Sequence, residues 1–138
     1  QEGAVTQQPG QSISILNPLS DRLNILRNTL IFSGLEVLAH NIHRKQFDLK
    51  VFEVGKNYYQ EDGQYIEKNK LGIWLTGKIE AANWIRQPRE VSFQDLNTII
   101  HSLLERLGIR AVSYQTLSNV WYKQGVAIYE QSKQLVIM

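Results

Sequence analysis

Glu36, His40 and His43 form the run whose spacing comes nearest to a metal site in this chain. On a helix, positions three and four apart are neighbours on one face. A Glu-x₃-His-x-x-His run can therefore present a carboxylate and two imidazoles to one side. A structural zinc takes four ligands, no fourth is evident, and the chain has no cysteine. Histidines near the C-terminal end of a helix are favoured there by the helix dipole without any ligand. That reading is adopted, and no metal site is expected.

Other chemistries leave as little trace. There is no Gly-x-Ser-x-Gly elbow to strain a nucleophilic serine. Nor is there a Gly-x₄-Gly-Lys-Ser loop or a Gly-x-Gly-x-x-Gly turn to cradle phosphate; the nine glycines are single and dispersed. Trp74, Trp84 and Trp121 are of the type that stacks a base, but Trp74 lies in a strand-like run and reads as core. Trp84 and Trp121 fall in less regular stretches and suit an interface, where a partner buries a large apolar body. Fifteen Lys and Arg against thirteen Asp and Glu leave a net charge of +2, too small an excess to hold nucleic acid by electrostatics alone. The nearest basic clusters, Arg44-Lys45, Lys68-Asn69-Lys70 and Arg86-Gln87-Pro88-Arg89, read as solvated loops or strand edges.

The elements that would position any site follow from length and pattern. A chain of 138 residues can build one core, since about 150 residues bury roughly two thirds of their unfolded surface. A hydrophobic fraction of 43% with 20% charged residues is that of an ordinary globular protein. The absence of cysteine excludes disulfides and thiol chemistry and makes a cytoplasmic location the expectation. No apolar run approaches the ~20 residues a bilayer requires. The first ten residues lack the basic end and apolar centre of a signal peptide.

Residues 1–11, rich in Gln and Gly, read as a frayed terminus or linker, and 12–138 as a single domain. Residues 12–16 alternate like a short strand, and Asn17-Pro18-Leu19-Ser20 carries turn chemistry, since Pro18 fixes its own φ and disfavours the α region at Asn17. Leu30, Gly34, Leu38 and Ile42, widened by Ile31 and Leu35, predict a helix from Thr29 to about His43, with Asn28 or Thr29 capping it. Gly34 in its interior suggests that something packs close to the backbone. From Asp48 to Tyr59 the period changes to two; both faces are partly apolar, which predicts an interior strand. Asp62-Gly63 is a hairpin turn, and Leu71–Thr76 the returning strand. Residues 77–91 read as a loop or excursion. Ser92–Leu107 predicts a second helix, with Ser92 and Asp95 as a capping box and Gly108 as its left-handed stop. Runs at 111–117, 125–130 and 134–138 read as strands. The order predicts an α+β domain, an antiparallel sheet flanked by helices. A last run reaching Met138 in mid-strand suggests a piece of a longer chain.

Several of these segments together resemble a known family. Asn17-Pro18-Leu19-Ser20, Leu26-Arg27-Asn28-Thr29-Leu30, an apolar helix ending in Asn41, Phe52-Glu53-Val54-Gly55-Lys56 and Val91-Ser92-Phe93-Gln94-Asp95-Leu96 resemble, in order and spacing, the synthetase-like module of the bacterial phenylalanyl-tRNA synthetase beta chain. Each motif alone is weak; as a set, across residues 12–138, they are specific. The resemblance implies a class II aminoacyl-tRNA synthetase-like fold. In active class II members the motif beginning Phe-Glu-Ile-Gly continues to an arginine that clamps the α-phosphate of ATP, a task suited to a guanidinium. This chain has Tyr59 there, followed by Gln60 and Glu61, and the Gly-rich third motif is not found.

What the resemblance implies is a non-catalytic module with no catalytic, cofactor-binding or metal residues of its own. The parent enzyme is an (αβ)₂ heterotetramer that attaches phenylalanine to tRNA(Phe) using ATP and magnesium, the module packing against the catalytic alpha subunit. Carried over residue by residue, the interface falls on Asn17, Pro18, Leu19 and Ser20 and on Leu35 and Leu38 of the first helix, with a purely core role for that helix as the competing reading. The family's lysine after Asp95-Leu96 is replaced by Asn97, so any contact made by that cation is in doubt. The alternative is a stand-alone class II-like domain that binds a nucleotide or an amino acid.

Overall fold

The computed structural model describes residues 11–17, 24–80, 84–85, 87–119, 122–130 and 133–137. They belong to two compact units, Gln8–Val91 and Ser92–Met138. Among the described residues nine elements occur in order: α1 (Ile31–His43), β1 (Leu49–Glu61), β2 (Gln64–Thr76), β3 (Lys78–Glu80), β4 (Arg89–Glu90), α2 (Phe93–Arg106), β5 (Val112–Asn119), β6 (Tyr122–Glu130) and β7 (Lys133–Ile137). The chain is α+β, as its pattern predicts. Its strands, however, form three separate antiparallel sheets, β1-β2, β3-β4 and β5-β6-β7, among the described residues. No helix of the described residues is long and apolar enough to cross a membrane.

The first unit is built on the β1-β2 hairpin, whose thirteen-residue strands pair without a slip from Leu49↔Thr76 to Glu61↔Gln64. Asp62 and Gly63 close it with φ of 50° and 76°. Both central residues at positive φ make a type I′ turn, whose twist matches that of the flanking strands. This fixes the register, because a slip of one residue would exchange the two faces.

One face of the hairpin carries Val51, Gly55 and Asn57 of β1 and Trp74 and Gly72 of β2, and α1 lies against it. Trp74 fills the contact: a Cβ on Gly34 would sit 2.1 Å from its indole, and one on Gly72 2.2 Å away. The glycine inside the helix, costly for propensity, is thus required by the ring beneath it. Leu30, Gly34 and Leu38 are buried on this side. The N-cap is Leu30, which offers no side-chain cap, so neither Asn28 nor Thr29 caps the helix as expected; Thr29 Oγ1 accepts from the Ile31 N–H at 3.2 Å just ahead of it. At the other end Lys45 adopts φ 64°; its N–H donates to the Ile42 carbonyl at 2.8 Å and that of Gln46 to Asn41 at 3.1 Å. These are the two bonds of a Schellman stop, made here by a lysine.

The other face of the hairpin exposes Phe52, Val54 and Leu71. β1 is therefore not the interior strand that its two apolar faces predict. From Leu49 to Asn57 it pairs with β2 alone among the described strands. Side chains on the two faces report what covers the sheet, whereas edge pairing is settled by the backbone, and the two are independent. Residues 77–91, expected as an excursion, hold the short β3-β4 ribbon (Lys78↔Glu90). The ribbon is tied to the hairpin by the Asp48 carboxylate, which accepts from the Lys78 N–H at 2.8 Å.

The second unit begins with α2. Asp95 Oδ2 accepts from both the N–H and the hydroxyl of Ser92, at 2.8 and 2.7 Å, so the shorter Asp does reach back to the cap. Gly108 at φ 79° ends α2 with a second Schellman pair, Gly108 N–H to Glu105 and Ile109 N–H to Leu104. Ile100 and Leu104 of α2 and Ala127 and Ile128 of β6 are the buried apolar residues here. Neighbours on a strand point to opposite faces, so β6, paired on both edges and covered on both sides, is the interior strand.

Candidate subunit interface

The chain before α1 turns back on itself. The Ile15 N–H donates to Asn24 and the Leu26 N–H to Ile13, both at 2.8 Å, so 11–15 and 24–28 run antiparallel as a narrow ribbon around one bridge, Ser14↔Ile25. The alternation at 12–16 makes this single bridge rather than a full strand. The ribbon is joined to the far end of β1. Gln11 and Gln60 exchange both backbone bonds, and the Tyr58 N–H donates to the Arg27 carbonyl at 2.8 Å.

Arg27 is the hub. Its guanidinium pairs with Glu53 of β1 and passes so close to Gly55 that a Cβ there would meet Nη2. The second Glu53 oxygen accepts from the Ser33 hydroxyl of α1 at 3.3 Å. One ion pair therefore joins the ribbon, the hairpin and the helix. Arg27 and Glu53 were legible in the sequence only as letters of two separate motifs. Their partnership depends on β1 passing beside the ribbon, which no local spacing reveals.

The positions carried over from the family resemblance fall in different places. Asn17 is exposed at the ribbon's outer end, next to Leu16, which is 95% exposed; Pro18, Leu19 and Ser20 lie outside the described residues. Leu38 is buried at 7% exposure and faces the hairpin, while Leu35 is half exposed. Of the two helical positions, Leu35 is thus the one open to a partner. It is not alone: Ile31, Phe32 and Ile42 are also exposed along α1. At 100° per residue Ile31, Ile42 and Leu35 lie on one flank of the helix, about 60–100° round from Gly34, and Phe32 lies beyond them at about 160°. The apolar arc of α1 is therefore wider than the part covered by its own hairpin among the described residues. Ile31, which the sequence pattern assigns to the widened core stripe, and Phe32, which it leaves unassigned, are further interface candidates.

Between the ribbon and α1 runs an open groove of about 390 Å³, with Ile25 and Leu26 on one lip, Phe32 and Glu36 on the other and Thr29 and Ser33 between them. It makes the ribbon and the exposed side of α1 one continuous surface.

On the hairpin, Tyr59 is half-buried, and the Lys68 ammonium lies 5.3 Å from its ring centroid. The Tyr59 hydroxyl holds the Lys68 ammonium above its ordinary value. Asn57, on the same face, is 8% exposed and its Oδ1 has no hydrogen-bond partner. Trp74, read as core from its strand position, is half-buried beneath Gly34 of α1. Trp84 is 94% exposed beyond β3, and Trp121 lies outside the described residues. Among the described residues no three His, Cys, Asp or Glu side chains are grouped as a metal would need.

Comparison with known proteins gives this surface its context. The sequence pattern of the family described as "Phenylalanyl tRNA synthetase beta chain CLM domain" matches residues 2–135. The chain is 38% identical to the phenylalanine–tRNA ligase beta subunit of Bacteroides thetaiotaomicron over 117 residues, covering 78% of this chain and 14% of that protein. It is 32% identical over 146 residues to that of Porphyromonas gingivalis, covering 98% and 18%. For Thermotoga maritima the identity is 32% over 102 residues, covering 74% and 13%. The chain thus spans less than a fifth of the length of these relatives. A match running through nearly all of its length, together with the motifs now seen joined at Arg27 and Glu53, places the chain in the phenylalanyl tRNA synthetase beta chain CLM domain family.

Proposed function

We propose that this chain is the non-catalytic, class II synthetase-like module of a phenylalanine–tRNA ligase beta subunit, and that it packs against the catalytic alpha subunit through the exposed side of α1. The parent enzyme joins phenylalanine to tRNA(Phe) using ATP and magnesium in the cytoplasm. The observation that carries the reading is the exposed apolar flank of α1: Leu38 is buried against the chain's own hairpin, while Ile31, Phe32, Leu35 and Ile42 remain exposed. Burying such a side on a partner stabilises by about 25 cal/mol per Å² of apolar surface before the costs of association.

The module contributes structure rather than chemistry. Tyr59 stands at the position where the active relatives' pattern has arginine; its neutral phenol cannot offset charge developing on a phosphate. The test uses the full-length beta subunit co-expressed with its alpha partner. Leu35→Asp places a charge in the proposed interface without touching the core, and loss of the heterotetramer in size-exclusion chromatography is the expected result. Normal assembly of that variant would sink the proposal.

A further inference from the structure

Charge in the groove beside α1 is unbalanced. Arg27 is neutralised by Glu53. Glu36, on the helix lip, has no hydrogen bond or ion pair among the described residues. Apolar Ile25 and Leu26 face it from the ribbon, and Phe32 stands one helical turn before it. His40, one turn after Glu36, is exposed and forms no ion pair with it among the described residues. A carboxylate beside an apolar cleft disfavours phosphate, which argues against nucleic acid as the occupant. The groove is also continuous with the exposed side of α1.

We infer that this groove receives a segment of the partner subunit that inserts an apolar side chain between Ile25 and Phe32 and sets a lysine or arginine beside Glu36. The inference rests on α1 being the subunit interface, and it adds the feature that selects the partner. Buried apolar contact supplies affinity, while the ion pair at the rim supplies register and orientation. A partner lacking the cation leaves Glu36 unpaired as it is covered, which discriminates against wrong chains.

The experiment uses the full-length beta subunit and its alpha partner, with association measured at low and high salt. Glu36→Lys is expected to weaken association about tenfold or more at low salt, and Glu36→Gln to flatten its salt dependence. Phe32→Ser is expected to weaken association at both salts. Thermal melts of each variant subunit alone confirm that it folds. Leu35→Asp serves as the reference. If it abolishes assembly while the Glu36 and Phe32 variants assemble as wild type, the groove is overturned and the interface stands. If all variants assemble normally, both fall. Stronger binding of tRNA by the Glu36→Lys subunit with unchanged subunit assembly would also overturn the inference, pointing to RNA as the occupant.

Discussion

Gly34 and Trp74 are in such close contact that a single added carbon on the helix would lie 2.1 Å from the indole. Gly34→Ala gains up to ~1 kcal/mol in helix propensity, but it drives the helix off the ring. A net loss of about 1–3 kcal/mol is expected, read as a lower urea midpoint with an unchanged slope. In a Trp74→Leu background the same substitution should cost less. An equal cost in both backgrounds would show that the ring is not what excludes the methyl.

The two helices end in the same hydrogen-bonded motif with different residues at the left-handed position, Lys45 and Gly108. A side chain there costs about 1 kcal/mol. Lys45→Gly should therefore raise stability by roughly that amount, and Gly108→Ala lower it by a similar amount. A Cβ on Gly108 would meet nothing within 4 Å, so its penalty is purely conformational. Thermal midpoints moving in opposite directions would bear this out; a stabilising Gly108→Ala would contradict it.

The Arg27–Glu53 pair is more than a third exposed on both sides, so its direct contribution is small, of order 0–1 kcal/mol. Its role is to join three elements. Arg27→Met and Glu53→Gln should each loosen the ribbon and α1 together, seen as faster amide exchange at Tyr58 and along α1. The double variant should be no worse than the more damaging single one.

Lys56 and Glu67 pair across the hairpin at 2.6 Å. The hydrogen bond and charge of Lys56 hold the Glu67 carboxylate below its ordinary 4.5, and Glu67 raises Lys56 above 10.5. A depressed carboxylate contributes stability above its unfolded value and loses it as pH falls through the folded one. A raised ammonium contributes below its unfolded value and loses that contribution as pH rises through the folded one. The gap in urea midpoint between wild type and Lys56→Met should thus be widest near neutrality. It should close in acid below 4.5 and again in strong base, and shrink in high salt. A gap that persists at about pH 3 would assign Lys56 a packing role instead.

Much of this architecture was legible beforehand because its signals are local. Asp62-Gly63, Ser92 with Asp95, and Gly108 each dictate backbone geometry within a few residues, and the structure follows them. The period of α1 located its core side at Leu30, Gly34 and Leu38, but it could not separate Leu35 from Leu38, because both lie within one wide apolar stripe and only the placement of Trp74 divides it. β1 misled for a related reason, since apolar residues on both faces imply cover without saying where the strand's neighbours lie. Leu35 and Asn17 can be named as interface candidates from the sequence, through the family resemblance. The groove was not legible, because Ile25, Phe32 and Glu36 meet only after the ribbon folds back along the helix.

The unpaired outer edge of β1 also bears on how the chain survives in a crowded solution. From Lys50 to Lys56 the even-numbered residues turn backbone donors and acceptors outward with no strand beside them among the described residues, and Phe52 and Val54 lie in the same stretch. Such an edge is a template on which a second copy can add, and then a third. Lys50 and Lys56 bracket the apolar pair, and like charges brought into register from copy to copy would repel. Charged residues at both ends of such an edge disfavour the addition of a second copy, a consequence separate from the packing of the fold itself.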